Sequence, residues 1–113
     1  MMKYTTLCAI IDKNNNRILM IKKLRGMKGF SDKIDGSGKD LYNFPGGKCL
    51  QNESFFTCAE REAIEETGIK PIKHKLIGQL QFNWPGFTII NQVFTTEKWS
   101  GEIICKNNEC FAE

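Results

Sequence analysis

From Ser54 to Thr67 the chain runs without glycine or proline and is rich in Glu, Ala and Phe, with Pro45-Gly46-Gly47 before it and Gly68 after it. That pattern predicts a helix with Asn52 or Ser54 as N-cap and Gly68 just past its end. The charges of this helix are badly placed for an ordinary surface element. On a wheel of about 100° per residue, with Glu62 at 0°, Glu65 falls at about −60° and Glu66 at about +40°. Phe56, Ala59, Ala63, Ile64 and Thr67 fill the adjoining arc, the expected core face. The acidic arc therefore borders the buried side instead of opposing it. Like charges three or four residues apart cost a few tenths of a kcal/mol per pair, and the C-terminal turns are where the macrodipole disfavours anions. Two readings stand: a solvated acidic face, or an oxygen site for a hard divalent cation.

The flanking segments read mainly as strands. Tyr4 to Ile11 and Arg17 to Lys23 are apolar or β-branched around the turn residues Asp12 to Asn16, which predicts a hairpin. Arg25 to Asp40 carries Gly26, Gly29, Gly36 and Gly38 among Lys, Asp and Ser, and reads as a flexible loop of about 15 residues, a length that is usually either functional or disordered. Leu41 to Phe44 is a short strand, Ile72 to Phe82 and Phe87 to Glu97 are strands around an Asn83-Trp84-Pro85-Gly86 turn, and Glu102 to Cys105 is a last candidate.

Composition narrows the class. A chain of 113 residues, 41% hydrophobic and 26% charged, fits one domain over residues 1–113 with one core. No apolar run approaches the roughly 18 residues of a membrane span, and the N-terminus lacks a signal-peptide pattern, so the expected setting is the cytoplasm. Five cysteines without a C-x-x-C pair, and a single His74, argue against a zinc cluster or a disulfide framework. The net charge of +3 is spread along the chain, which speaks against a nucleic-acid polymer as partner and still suits a small polyanion.

The segment Gly47 to Ile69, GKCLQNESFFTCAEREAIEETGI, reads G-x5-E-x7-R-E-(small apolar)-x-E-E-x-G-(apolar). Its fixed identities are Gly47, Glu53, Arg61, Glu62, Glu65, Glu66 and Gly68, and chance agreement in so short a chain is on the order of one in a million. This segment resembles the Nudix box of the nucleoside diphosphate hydrolases. Ala63 stands where the family often has a larger aliphatic residue. Upstream, Asn43-Phe44-Pro45-Gly46-Gly47-Lys48 is similar to the strand-to-loop entry of MutT-type members; downstream, relatives continue through a further helix while this chain stops at Glu113. Either a minimal domain or a truncated product is expected.

The resemblance implies an α/β/α sandwich with a twisted mixed β-sheet and the box helix packed on it. It implies that Glu62, Glu65 and Glu66 hold Mg²⁺ or Mn²⁺ with the carbonyl of Gly46. It also implies that Glu53 and Arg61 form the ion pair that orients them, and that one glutamate, Glu62 in our reading, serves as general base. Gly46 and Gly47 let the backbone come close to metal and phosphate. Among substrate contacts, Asn43 either reads a base edge or satisfies backbone groups at a strand end. Lys23 either faces phosphate or base or is solvated, and Lys48 either supports the phosphates or is solvated. Phe82, Trp84, Phe87 and Trp99 either include a base-stacking ring or are packing residues.

The implied activity is Mg²⁺-dependent hydrolysis of a nucleoside triphosphate to monophosphate and pyrophosphate, with an oxidised purine such as 8-oxo-dGTP as the expected substrate. The rivals are another diphosphate derivative, such as ADP-ribose or a dinucleoside polyphosphate, and a nucleotide-binding module without turnover. A homodimer formed through an exposed strand edge is also expected.

Overall fold

The Asp12–Arg17 turn is built from its own side chains. Asp12 accepts from the backbone and the amide of Asn15 and from Arg17 Nη2 at 3.0 Å, while Asn16 takes φ 55°. In the computed structural model, which describes residues 1–22, 42–104 and 109–112, this turn joins β1 (Met2–Asp12) to β2 (Arg17–Lys22). The hairpin is short. Only Ile11↔Ile18 and Asp12↔Arg17 pair across it, after which the two strands separate.

That separation lets β1 pair with other strands along its N-terminal half. On one side Thr5, Thr6 and Leu7 pair antiparallel with Lys48, Gly47 and Gly46 of β4 (Gly46–Lys48). On the other, β1 runs parallel to β7 (Phe87–Thr96), from Met2↔Thr88 to Ile10↔Thr96. β6 (Lys75–Trp84) pairs antiparallel with β7, and β3 (Tyr42–Asn43) and β9 (Glu109–Ala112) both pair with β2. β5 (Ile69–Ile72) and β8 (Lys98–Gly101) form a separate two-stranded sheet.

The helix α1 (Phe55–Thr67) matches expectation at both ends. Ser54 Oγ accepts from Thr57 N, and Gly68 at φ 80° returns its N–H to Ile64 O at 2.9 Å. Gly68 also lies so near the Glu102 carbonyl that an added Cβ would meet it at 2.5 Å, a second reason for glycine there. The small side chains Ala59 and Ala63 bring α1 close to β1 and β7. They pack with Cys8, Ile10, Leu19, Ile69 and Phe94, all nearly or fully buried.

The mixed sheet with a helix packed on it is the expected α/β arrangement; α1 is the one helix among the described residues. Three details differ from the sequence reading. Cys58, not Phe56 or Ile64, completes the buried face of α1; Phe56 is 51% and Ile64 40% exposed, because the sheet covers a narrower stripe than the apolar arc. The run from Ile72 breaks at Lys73, whose φ of 54° ends β5 before β6 begins. The last strand of that region is Lys98–Gly101 and residues 102–104 lie beyond it, because β8 is drawn into register with β5; Cys105 lies outside the described residues.

Candidate active site

β4 is the short strand that brings the glycine loop beneath α1. Because Thr6 pairs with Gly47 and Leu7 with Gly46, this loop is held at backbone level by the centre of the sheet, and Cys8 N donates to Pro45 O at 2.8 Å. Cys58, fully buried on α1, packs its sulfur against Thr6 Oγ1 at 3.4 Å and Gly47 O at 3.8 Å. Gly47 is glycine for a direct reason: a Cβ there would land on the carboxylate of Glu62.

Arg61 organises the acidic residues. Its Nε and Nη2 grip both oxygens of Glu53 at 2.7 and 3.0 Å, its Nη1 reaches Glu62 at 2.9 Å and Glu65 at 3.1 Å, and Nη2 also donates to the Lys48 carbonyl at 3.0 Å. A fork–fork pair of this kind fixes orientation as well as charge. Glu53 also accepts from Leu50 N at 2.9 Å, which ties the loop to the helix. Glu66 accepts from Gly46 N at 2.8 Å.

The electrostatics follow from these contacts. The Arg61 guanidinium pulls the Glu53 carboxyl down to about 2, and the same contact holds Arg61 firmly protonated. Burial pushes Glu62 upward; the Arg61 guanidinium opposes this, and the charges of Glu65 and Glu53 add to it. Burial also raises the thiols of Cys8, to about 12, and Cys58. These thiols are packing groups, not nucleophiles.

The structure therefore gathers Glu53, Arg61, Glu62 and Glu65 into one network and places Glu66 on the glycine loop. Lys48 is exposed, and its carbonyl accepts from Arg61 Nη2. Asn43 uses Oδ1 to accept from Phe44 N at 2.8 Å. Lys23 lies outside the described residues. Phe82, Trp84 and Trp99 are 45%, 43% and 37% exposed, and Trp84 stacks on Phe87 at 6.5 Å. His74 caps Phe56 O through Nε2 and packs edge-on to Phe94. Nothing in the sequence pattern marks Cys49 and Cys58 as neighbours across the loop; the only hint is a small apolar residue at each.

A divalent cation fits this donor set, which is all oxygen. Among the described residues no three acidic side chains converge as they stand, because Arg61 Nη1 lies between Glu62 and Glu65 and serves as their counter-ion. No described helix is long and apolar enough to cross a membrane.

Comparison with known proteins agrees with this geometry. The NUDIX domain model matches residues 2–112. The 8-oxo-dGTP diphosphatase of Buchnera aphidicola subsp. Schizaphis graminum (strain Sg) is 30% identical over 105 residues, covering 93% of this chain and 72% of that protein. The 8-oxo-dGTP diphosphatase of Buchnera aphidicola subsp. Acyrthosiphon pisum (strain APS) is 32% identical over 63 residues, so the match spans 56% of this chain and 51% of the relative. In fold, the crystal structure of a MutT NUDIX hydrolase from Burkholderia pseudomallei superimposes with a TM-score of 0.76 at 22% identity, covering 99% of this chain and 84% of that one. With its glycine loop, its capped helix and its arginine-centred carboxylates in place, the chain belongs to the NUDIX family, among the MutT-like Nudix hydrolases.

Proposed function

We propose that this Nudix hydrolase cleaves a nucleoside triphosphate between its α and β phosphates, releasing the monophosphate and pyrophosphate, and that its preferred substrate is 8-oxo-dGTP. The observation that carries the reading is the Arg61 network, which ties Glu53, Glu62 and Glu65 to one guanidinium and sets the Glu62 carboxylate against the side-chain-free backbone of Gly47. The substrate class follows the activity named for the Buchnera relatives.

Glu62, Glu65 and Glu66, with the carbonyl of Gly46, are the groups that would hold Mg²⁺ or Mn²⁺. Such an ion, when bound, neutralises phosphate charge and lowers the pKa of an attacking water. Glu62 is the proposed general base, because its side chain is 16% exposed against 56% for Glu65 and stands directly against the glycine loop. Arg61 positions Glu62 and Glu65 while Glu53 anchors Arg61, and Glu66 pins Gly46. Gly47 and Lys48 line the proposed phosphate path, Asn43 stands at its base end, and Lys23 is a further proposed contact. The proposed setting is the cytoplasm. The partner is a small nucleotide, not a nucleic-acid polymer. Two copies are proposed to pair along β6, whose ten residues are all exposed and uncharged between Lys75 and Trp84.

The test is product analysis by mass after incubation with Mg²⁺ and 8-oxo-dGTP, dGTP, ADP-ribose or a diadenosine polyphosphate, with Glu65→Gln and Glu66→Gln as controls. Preferential conversion of 8-oxo-dGTP, lost in the controls, is expected. Equal turnover of dGTP, or preference for another diphosphate, refutes the substrate; binding without phosphate release refutes the reaction.

A further inference from the structure

The sheet face turned away from α1 carries Thr5 and Leu7 of β1 and, by the parallel register, Ile89 and Asn91 of β7. β6 sets Leu80 opposite Asn91 and Phe82 opposite Ile89, and these two are 47% and 45% exposed. In the middle of this mostly apolar surface Asn91 is only 9% exposed. Its Nδ2 donates to Thr5 Oγ1 at 2.7 Å, and its Oδ1, closed from water, has no hydrogen-bond partner among the described residues. A buried carboxamide oxygen left unpaired costs free energy and is uncommon in native proteins. An apolar residue here would avoid that cost.

The position relates Asn91 to the active site. Thr5 pairs with Lys48 and Thr6 with Gly47, so Asn91 stands two strands from the glycine loop, about 10 Å at the usual strand spacing. That is the reach from the phosphates of a nucleotide to its base. We propose that Asn91 is a specificity-determining residue whose Oδ1 accepts a ring N–H of the substrate's base, with Leu80 and Phe82 packed on the ring. The inference rests on the nucleotide reading above and deepens it. Because Nδ2 is committed to Thr5, the free end of the amide is an acceptor only. A purine oxidised at C8 carries a hydrogen on N7, where the ordinary purine offers a lone pair. A fixed acceptor takes the first and repels the second. Leu80, directly opposite and half exposed, is the side chain that moves to admit the ring.

The experiment is calorimetric binding of 8-oxo-dGMP and dGMP, which needs no turnover, to the wild type, Asn91→Leu and Thr5→Val, with the melting temperature of each. Wild type is expected to favour 8-oxo-dGMP. Asn91→Leu should lose about tenfold in affinity for 8-oxo-dGMP, the ordinary worth of one hydrogen bond, bind dGMP more tightly than wild type because the repelling acceptor is gone, and melt no lower than wild type because the orphan acceptor is gone. Thr5→Val, which frees the amide to turn, should narrow the preference in the same direction. Equal losses for both nucleotides, or unchanged preference in both variants, overturns the assignment of Asn91 alone. A wild type that binds neither nucleotide overturns the nucleotide reading, and this inference with it.

Discussion

Arg61→Lys keeps the charge of Arg61 and removes its fork, so it isolates what the geometry contributes. Arg61 makes two bonds to Glu53 and one each to Glu62, Glu65 and the Lys48 carbonyl. An ammonium has three hydrogens on one atom, so at least two of these five bonds are lost. Hydrogen bonds to charged groups contribute roughly 1.5–3 kcal/mol each. The Arg61 side chain is 24% exposed and that of Glu53 9%, so water replaces part of the loss and the expected cost is about 2 kcal/mol. For a domain of this size that lowers the melting temperature by about 8 °C. The assay is thermal unfolding followed by circular dichroism, repeated for Glu53→Gln and the double variant. In the Glu53→Gln background the further cost of Arg61→Lys should drop below about 1 kcal/mol, since its main partner has already lost its charge. A shift under about 2 °C, or strict additivity in the cycle, would refute the view that the fork holds loop and helix together.

Gly47→Ala should fold but lose activity by about a hundredfold, because the new Cβ displaces the Glu62 carboxylate; a wild-type rate contradicts the role given to the glycine loop. Phe94→Ala, which empties the fully buried centre between β1, β7 and the Phe56 ring, should cost about 3–5 kcal/mol in denaturant titration. Ser54→Ala removes the acceptor for Thr57 N and should cost about 1 kcal/mol. The stability that Glu53 contributes is full above its ordinary value of 4.5 and is lost as pH falls toward about 2, because its folded value is depressed. Asp12, also depressed, acts with the same sign, and Glu62, raised by burial, with the opposite one. In Arg61→Lys, denaturant titrations at stepped pH should show a shallower acid slope; an unchanged slope counts against Arg61 as the cause.

The helix and its acidic arc were legible in the sequence because they are local: spacing fixes which side chains share a face, and Ser54 and Gly68 mark the ends by their own chemistry. The convergence of Glu53 on Arg61 was legible only through resemblance to a family pattern, since Glu53 lies just ahead of the N-cap Ser54 and outside the helical periodicity that places Arg61. What escaped is set by distant partners. The burial of Cys58 in place of Phe56 depends on how closely Ala59 and Ala63 let the sheet approach, and β8 is a strand because β5 pairs with it. The isolated acceptor on Asn91 was equally invisible. An asparagine in an apolar run looks like an interruption until the register shows Thr5 beside it and its other end without a partner among the described residues.

The parallel pairing of β1 with β7 also sets a schedule for synthesis. The strand at the middle of the sheet is made first, yet β7, with which it forms its longest pairing, is the last of its partners to be made: the Thr5–Asn91 and Ala9–Thr95 contacts each span 86 residues. At about 5–20 residues per second a ribosome needs roughly 4–17 s to make that stretch. During this interval β1 has only its short hairpin with β2 and the β4 loop to pair with, and the helix has half a sheet to pack on. The glycine loop can be threaded early, but its carboxylates acquire a rigid floor only once Thr96 has left the exit tunnel.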